Sequence, residues 1–255
     1  MLPAERKRTI VEQVSEAGGR SVSELADTLD YSKATIRRDL RDLEDEGRIE
    51  RSHGGAVPVT TVGHERPYGQ REVQRLDAKR AIGERAAEEL APGQVVFFDA
   101  GTTTMEVAKR APTDGSILAA TNSLQLASEL GDEETEVKVT GGTLRDRTRA
   151  LVGPSAESFM DRMNFDVLFL GTNAVDAETG LATPNEDEAR MKQLMVETSA
   201  TVVLVADSSK AGERSFVRFA DLEDVDLFVT DDGLDRHYRD AFESAGMRVV
   251  EVSAE

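Results

Sequence analysis

The sequence predicts an α/β protein in two parts: a small helical head closed by a β-hairpin, and a larger domain built on a largely parallel sheet. Three observations carry this. The first 57 residues hold three helix-like stretches, then two short strand-like runs around a Gly-Gly pair. From Asp77 onward, helix-like and strand-like runs alternate. The length, 255 residues, suits one small plus one medium domain. The expected parts are the head at 1–57, a linker at 58–76 and the larger domain at 77–255.

In the head, a first helix is expected over 4–17, with Ile10, Val11 and Val14 on one face and Gly18-Gly19 ending it. Ser21 and Glu24 then have the spacing of a capping box, opening a helix that carries Leu25, Ala26 and Leu29. After a turn at Asp30-Tyr31, Ser32 caps a third helix running to about Glu46. Ile36, Leu40 and Leu43 recur at helical spacing and give it one buried stripe; Gly47 stops it. Arg48 to His53 and Ala56-Val57 flank Gly54-Gly55 and read as a hairpin. Three helices plus a hairpin is a winged helix-turn-helix plan. Pro58 to Leu76 is polar, with Gly63, Pro67 and Gly69, and reads as linker.

In the larger domain, helices are expected over 77–90, 103–110, 123–130, 154–162, 185–198 and 235–245. Strands are expected over 94–99, 116–120, 136–140, 165–170, 201–206, 225–229 and 247–252. Several strand runs are continuously apolar, among them Val95-Val96-Phe97-Phe98 and Val202-Val203-Leu204-Val205. Such runs, alternating with helices, argue a parallel sheet covered on both faces.

Composition excludes several classes. No apolar run is long enough to span a membrane and the N-terminus lacks the apolar core of a signal peptide, so a cytoplasmic location is expected. There is no cysteine, which excludes disulfides and thiolate metal sites. His53, His64 and His237 show no zinc-ligand spacing; no metal and no cofactor is expected. The net charge of −18 looks wrong for a nucleic-acid binder, but it is unevenly spread. Residues 1–56 carry 10 Lys/Arg against 12 Asp/Glu, a balance of −2, which leaves −16 for the remainder. The cations are 24 Arg and only 7 Lys. An acidic, lysine-poor surface resembles proteins of organisms that keep molar salt in the cytoplasm. At about 1 M salt the Debye length is roughly 3 Å, so excess carboxylates are tolerated. An ordinary acidic protein is the alternative.

The third helix reads Ser32-Lys33-Ala34-Thr35-Ile36-Arg37-Arg38-Asp39-Leu40. With its apolar stripe inward, the basic residues lie on the other sides. A recognition helix presents its N-terminal residues to base edges in the major groove, and its positive dipole end favours nearby phosphate. Ser32, Lys33, Thr35, Arg37, Arg38 and Arg41 are therefore candidate DNA contacts. Arg48 and Arg51 on the hairpin, with His53 at its tip, are candidates for the flanking backbone. The alternative is a solvated helix with pairs such as Arg38–Asp42 and Arg41–Asp45.

The first strand of the larger domain ends in Asp99-Ala100-Gly101-Thr102-Thr103-Thr104. Glycine allows close approach, while helix-start N–H groups and hydroxyls donate hydrogen bonds, which suits phosphate. Other strands end in Thr121-Asn122, Gly141-Gly142, Gly171-Thr172-Asn173 and Asp207-Ser208-Ser209-Lys210. Ligands in such sheets sit beyond the carboxyl ends of strands, so these ends outline a pocket for a small polyol phosphate. The bland alternatives are a plain helix cap at Gly101 to Thr104 and a mere turn at Gly141-Gly142. Lys210 would then be a solvated cation, and Glu188 with Lys192 a surface pair.

TIRRDL followed by LEDEGRIERSHGGA resembles the DeoR-type repressors of sugar and glycerol catabolism. RRDL, LE-x-x-G-x-I and R-x-HGGA in order make the resemblance specific. It extends through DAGTTT, TNS, TGG, Glu188-Ala189 with Lys192, DSSK and Thr230-Asp231, over residues 1–252. DeoR-type sensor domains are similar to ribose-5-phosphate isomerase. The resemblance implies that Asp99, Gly101, Thr102, Thr103, Thr104, Asn122, Gly142 and Lys210 line an effector site. It also implies a repressor relieved by a phosphorylated sugar or glycerol intermediate. The surface departs from the family in being more acidic. The expected partners are double-stranded operator DNA, that effector, and further copies of the chain as a dimer or tetramer. An isomerase using Asp99, Glu188 and Lys210 as acid–base groups is a competing reading. The sequence does not bring those three together, and such an enzyme has no need of the TIRRDL helix. An activator of the same architecture is also open.

Overall fold

In the computed structural model, residues 2–17, 19–52, 54–58, 63, 65–131 and 135–254 are described. The chain divides into two compact units, Met1–His64 and Glu65–Glu255.

The first unit contains α1 (Pro3–Glu16), β1 (Arg20–Ser21), α2 (Val22–Leu29), α3 (Lys33–Asp45), β2 (Ile49–Ser52) and β3 (Gly55–Pro58). Ile10, Val14, Val22, Leu25, Ile36, Leu40, Leu43 and Ile49 are buried in one cluster, so the apolar stripes read from the sequence do face inward. The capping box forms as expected: the Glu24 N–H donates to Ser21 Oγ at 3.2 Å, and the Ser21 N–H donates to Glu24 at 2.8 Å. The hairpin gains a third strand that no sequence signal marked. β1 pairs antiparallel with β3, giving the order β1-β3-β2. Gly55 is required there, because a Cβ on it would stand 2.2 Å from the Arg20 carbonyl oxygen.

The second unit opens with α4 (Tyr68–Val73), α5 (Leu76–Ala87), β4 (Val95–Phe98), α6 (Thr102–Ala108), β5 (Leu118–Thr121), α7 (Leu124–Leu130) and β6 (Val137–Val139). The hairpin β7 (Thr143–Leu144) and β8 (Leu151–Val152), α8 (Pro154–Met160), β9 (Phe165–Leu170), β10 (Ala174–Asp176), β11 (Gly180–Thr183) and α9 (Glu186–Glu197) follow. The unit closes with β12 (Ser199–Val205), a 3-10 turn (Ser208–Lys210), β13 (Val217–Ala220), β14 (Leu227–Asp231), α10 (Arg236–Ser244) and β15 (Arg248–Val252).

Seven strands form the main sheet in the order β15-β14-β12-β9-β4-β5-β6, and every pairing in it is parallel. Its continuously apolar strands have a physical reason: successive side chains enter two different cores. Phe97, Leu204 and Phe228 pack on one face, while Val96, Phe98, Val203 and Val229 pack on the other.

The structure departs from the sequence reading in two places. The β7–β8 hairpin and an antiparallel sheet ordered β10-β11-β13 were not expected. Their strands are two to four residues long, too short to show a period of two. The stretch 58–76 is also not linker throughout. From Glu65 it belongs to the second unit, forms α4, and buries Tyr68 and Glu65. Its polarity misled because the burial there is of polar and charged groups, not of an apolar stripe.

Candidate functional site

On α3 the structure separates core from surface as the stripe demands. Ser32, Lys33, Ala34, Arg37, Arg38 and Arg41 are exposed, Thr35 is half-buried, and Ile36, Leu40 and Leu43 are buried. Ser32 caps the helix, its Oγ accepting the Thr35 N–H at 3.2 Å and lying 2.9 Å from Thr35 Oγ1. The pairing envisaged for Asp42 takes another form: Lys7 of α1 bonds it at 2.8 Å. That contact holds Asp42 below the usual carboxylate range. On the hairpin, Arg48 is half-buried near Glu46 at 3.7 Å, and Arg51 is exposed, 3.5 Å from Glu44. His53, expected at the hairpin tip, lies outside the described residues.

A residue the sequence reading passed over fixes this surface. Asp39 is buried and accepts both Nε and Nη2 of Arg6, at 2.6 and 3.0 Å, while the Arg6 guanidinium stacks 4.4 Å over Tyr31. The fork ties α1 to α3, so the orientation of the recognition helix rests on a bidentate ion pair. The signal was available: Asp39 lies between Ile36 and Leu43 on the inward stripe.

In the second unit the polar strand ends do gather at one rim. Asn122 Oδ1 accepts the Ala100 N–H at 2.7 Å, which ties the ends of β4 and β5 together. Asp99 is buried; it accepts the Gly171 N–H at 3.0 Å and bonds Lys192 of α9. Burial pushes the Asp99 carboxyl up, and the Lys192 ammonium opposes that push. Lys192 also donates to the Gly171 carbonyl at 2.9 Å. Thr102, Thr103 and Thr104 are buried at the start of α6. The Thr104 hydroxyl turns back to the carbonyls of Asp99 and Gly101, at 2.6 and 2.9 Å, and so builds the loop. Gly142 adopts φ +102° and packs where a Cβ would meet the Val152 carbonyl oxygen at 2.5 Å. The positive φ and the close approach both require a glycine here.

The reading of Glu188 and Lys192 as a surface pair is corrected. Both are buried, and they face different partners. Glu188 takes Thr148 and Arg145, and Arg145 also grips Glu65 with two hydrogen bonds of 2.9 Å. The solvated alternative for Lys210 fails too: it is half-buried, and burial lowers its ammonium below the ordinary value despite Asp207 nearby. Sequence reasoning also missed Arg75, which donates to Asp207 at 3.2 Å and to Asp231 at 3.1 Å from a left-handed backbone position, φ 50°. It stands in the stretch read as linker, where nothing in the local pattern marked it. No described helix is long and apolar enough to cross a membrane, and no group of metal-ligating side chains gathers among the described residues.

The head geometry and the strand-end rim are the two halves of one family pattern. A DeoR-like helix-turn-helix domain matches residues 6–62, and a DeoR C-terminal sensor domain matches residues 74–232. The chain belongs to the DeoR family. It is 71% identical over 251 residues to the HTH-type transcriptional regulator GlpR of Haloferax volcanii, covering 98% of each chain. It is 35% identical over 231 residues to the transcriptional repressor AccR of Agrobacterium fabrum, covering 90% of each. The DeoR-family chain is thus a transcriptional regulator, not an enzyme. Among solved structures, ribose 5-phosphate isomerase A from Methanocaldococcus jannaschii aligns at a TM-score of 0.40 and 15% identity, over 54% of this chain and 55% of that one.

Proposed function

We propose that the protein represses carbohydrate or glycerol catabolic genes and leaves its operator when a phosphorylated sugar or polyol binds the rim of the second unit. One observation carries the reading. Lys33, Arg37, Arg38 and Arg41 are exposed on α3, on sides away from its buried stripe. In a winged helix-turn-helix that surface enters the major groove, with the hairpin arginines beside the flanking phosphates. At the rim, Asp99, Gly101, Thr102, Thr103, Asn122, Gly142 and Lys210 stand on the effector side, with Thr104 supporting the loop. Effector binding biases the sensor between two arrangements and so changes how paired heads meet their half-sites. The coupling is reciprocal: DNA weakens effector binding by the same factor.

Salt supports a paired assembly. Each neutralised phosphate gives log K a slope of about −0.9 against log salt, so molar salt removes most non-specific affinity. A dimer or larger assembly on an inverted repeat restores it by engaging two heads at once. The site of action is the cytoplasm.

The test is a gel shift of the full chain on the promoter upstream of its own gene, in about 2 M KCl. The expected result is a retained complex, dimeric or larger by light scattering, that dissociates on adding glycerol 3-phosphate or fructose 1-phosphate. No preference for that promoter over random duplex overturns the reading.

A further inference from the structure

We propose that α9 is a rod linking the effector loop to the strap at residues 65–79. Lys192 grips the loop after β4, and Glu188, one turn earlier, grips the strap through Arg145. This rests on the effector reading above and names the residues that transmit the signal. The chain enters the second unit at Glu65. The position of Glu65 is therefore the point from which the head is tethered.

The start of the strap is fastened to the β7–β8 hairpin by four hydrogen bonds. Arg145 donates to both oxygens of the Glu65 carboxylate at 2.9 Å. Arg147 donates to the Glu65 carbonyl at 2.7 Å, and the Tyr68 N–H donates to the Arg147 carbonyl at 2.7 Å. The hairpin in turn is held from α9. Glu188 accepts from Arg145 Nη1 and from the buried Thr148 hydroxyl. One nitrogen, Nη1, thus serves two carboxylates. Glu65 and Glu188 are both buried and share one guanidinium, so the trio carries a net negative charge away from water. Excess buried charge is costly, and Glu65, with the full fork, is the better held of the two. The joint therefore has two arrangements: Arg145 bridging both carboxylates, or closing on Glu65 alone.

Geometry and charge both tie Glu188 to the effector loop. It lies four residues before Lys192 on one face of α9, about 6 Å along the axis. Ala189, Met191, Leu194 and Met195 of that helix are buried, so the helix shifts as a body. Lys192 bonds Asp99 and the Gly171 carbonyl. The Glu188 charge also helps push the Asp99 carboxyl up, after burial itself. A ligand that bonds Asp99 or draws on Lys192 alters both the field at Glu188 and its position. That tips Arg145 between its two arrangements and shifts the strap.

The experiment measures operator affinity of the full chain by fluorescence anisotropy in about 2 M KCl, with and without saturating glycerol 3-phosphate or fructose 1-phosphate. Effector is expected to weaken wild-type operator binding by about tenfold or more. Glu188→Gln keeps the oxygen that accepts both bonds and removes the excess charge, so it is expected to fold. It is expected to cut the factor to about twofold or less, as is Glu65→Gln. Operator affinity without effector, and effector affinity by calorimetry, are expected to stay within about twofold of wild type. A merely structural role would not separate coupling from affinity in this way. Arg190→Ala, exposed on the same helix 3.7 Å from Glu157, is expected to keep the full factor. A full factor in Glu188→Gln overturns the proposal, and so does an equal loss in Arg190→Ala. If one Gln variant fails to fold by circular dichroism, the other decides. A wild type whose operator binding neither sugar phosphate alters sinks the effector reading instead. The rod is then decided by urea unfolding of Glu65→Gln, Lys192→Arg and the double variant. Non-additivity of about fivefold or more in the unfolding constant, lost when Glu188→Gln is added, supports the rod. Additivity, or non-additivity that persists with Glu188→Gln, overturns it.

Discussion

Each unit of the chain buries an ion pair with both partners in its interior, Arg6–Asp39 in the head and Lys192–Asp99 in the sensor, and these two are built differently. In the head, Arg6 and Asp39 meet through a two-pronged guanidinium fork, with Tyr31 stacked against it. In the sensor, Lys192 meets Asp99 through a single ammonium that also reaches the Gly171 carbonyl and lies 5.6 Å from the Phe219 ring centroid. Both pairs are desolvated, so neither is a simple gain in stability. The fork fixes angles as well as distance, which suits a joint that must hold the recognition helix still. The ammonium is a point charge on a flexible stem, which suits a joint between strand ends and a helix at the rim. The contrast teaches that buried charge serves rigidity in one unit and adjustable placement in the other.

The strongest way to break this comparison is Arg6→Ala. It strands the Asp39 carboxylate in the core and is expected to destabilise the head by about 3–5 kcal/mol, leaving the sensor transition in place. Differential scanning calorimetry separates the two. Lys192→Met is expected to have a comparable effect on the sensor at neutral pH, but one that eases with acid. An acid whose folded pKa is raised favours the folded state when protonated, and that contribution is lost as pH rises through the shifted value. Urea midpoints for Lys192→Met should therefore approach wild type as pH falls toward the ordinary carboxylate range.

The exposed charges sharpen the contrast. Arg37→Ala is expected to weaken operator binding by about 1–3 kcal/mol per half-site by gel shift, with thermal unfolding unchanged. The smallest effect is expected from Ser21→Ala, about 1 kcal/mol of head stability from the lost cap.

Much of this was legible in the sequence because it follows periodicity. The buried stripe of α3, the capping box at Ser21 and the seven parallel strands each come from a spacing that backbone geometry imposes. The strand-end motifs located the rim because ligand-facing loops of such sheets lie at carboxyl ends. What escaped depends on pairing between distant residues. Asp39 finds Arg6 across 33 positions, and Arg145 finds Glu65 across 80. Glu65 and Arg75 looked like solvated linker because the partners they hold are ionic and distant and leave no apolar pattern. β1 escaped because two residues show no period.

The strap at Glu65 to Lys79 has a practical consequence for anyone who would cut the two units apart. A shortened chain beginning at Asp77, where the regular alternation starts, would leave Asp207 and Asp231 without Arg75, and Arg145 without Glu65. Such a fragment would bury Asp207 and Asp231 without their guanidinium counter-charge and fail to represent the intact sensor. The boundary belongs before Glu65, however much the polar text downstream of it looks dispensable.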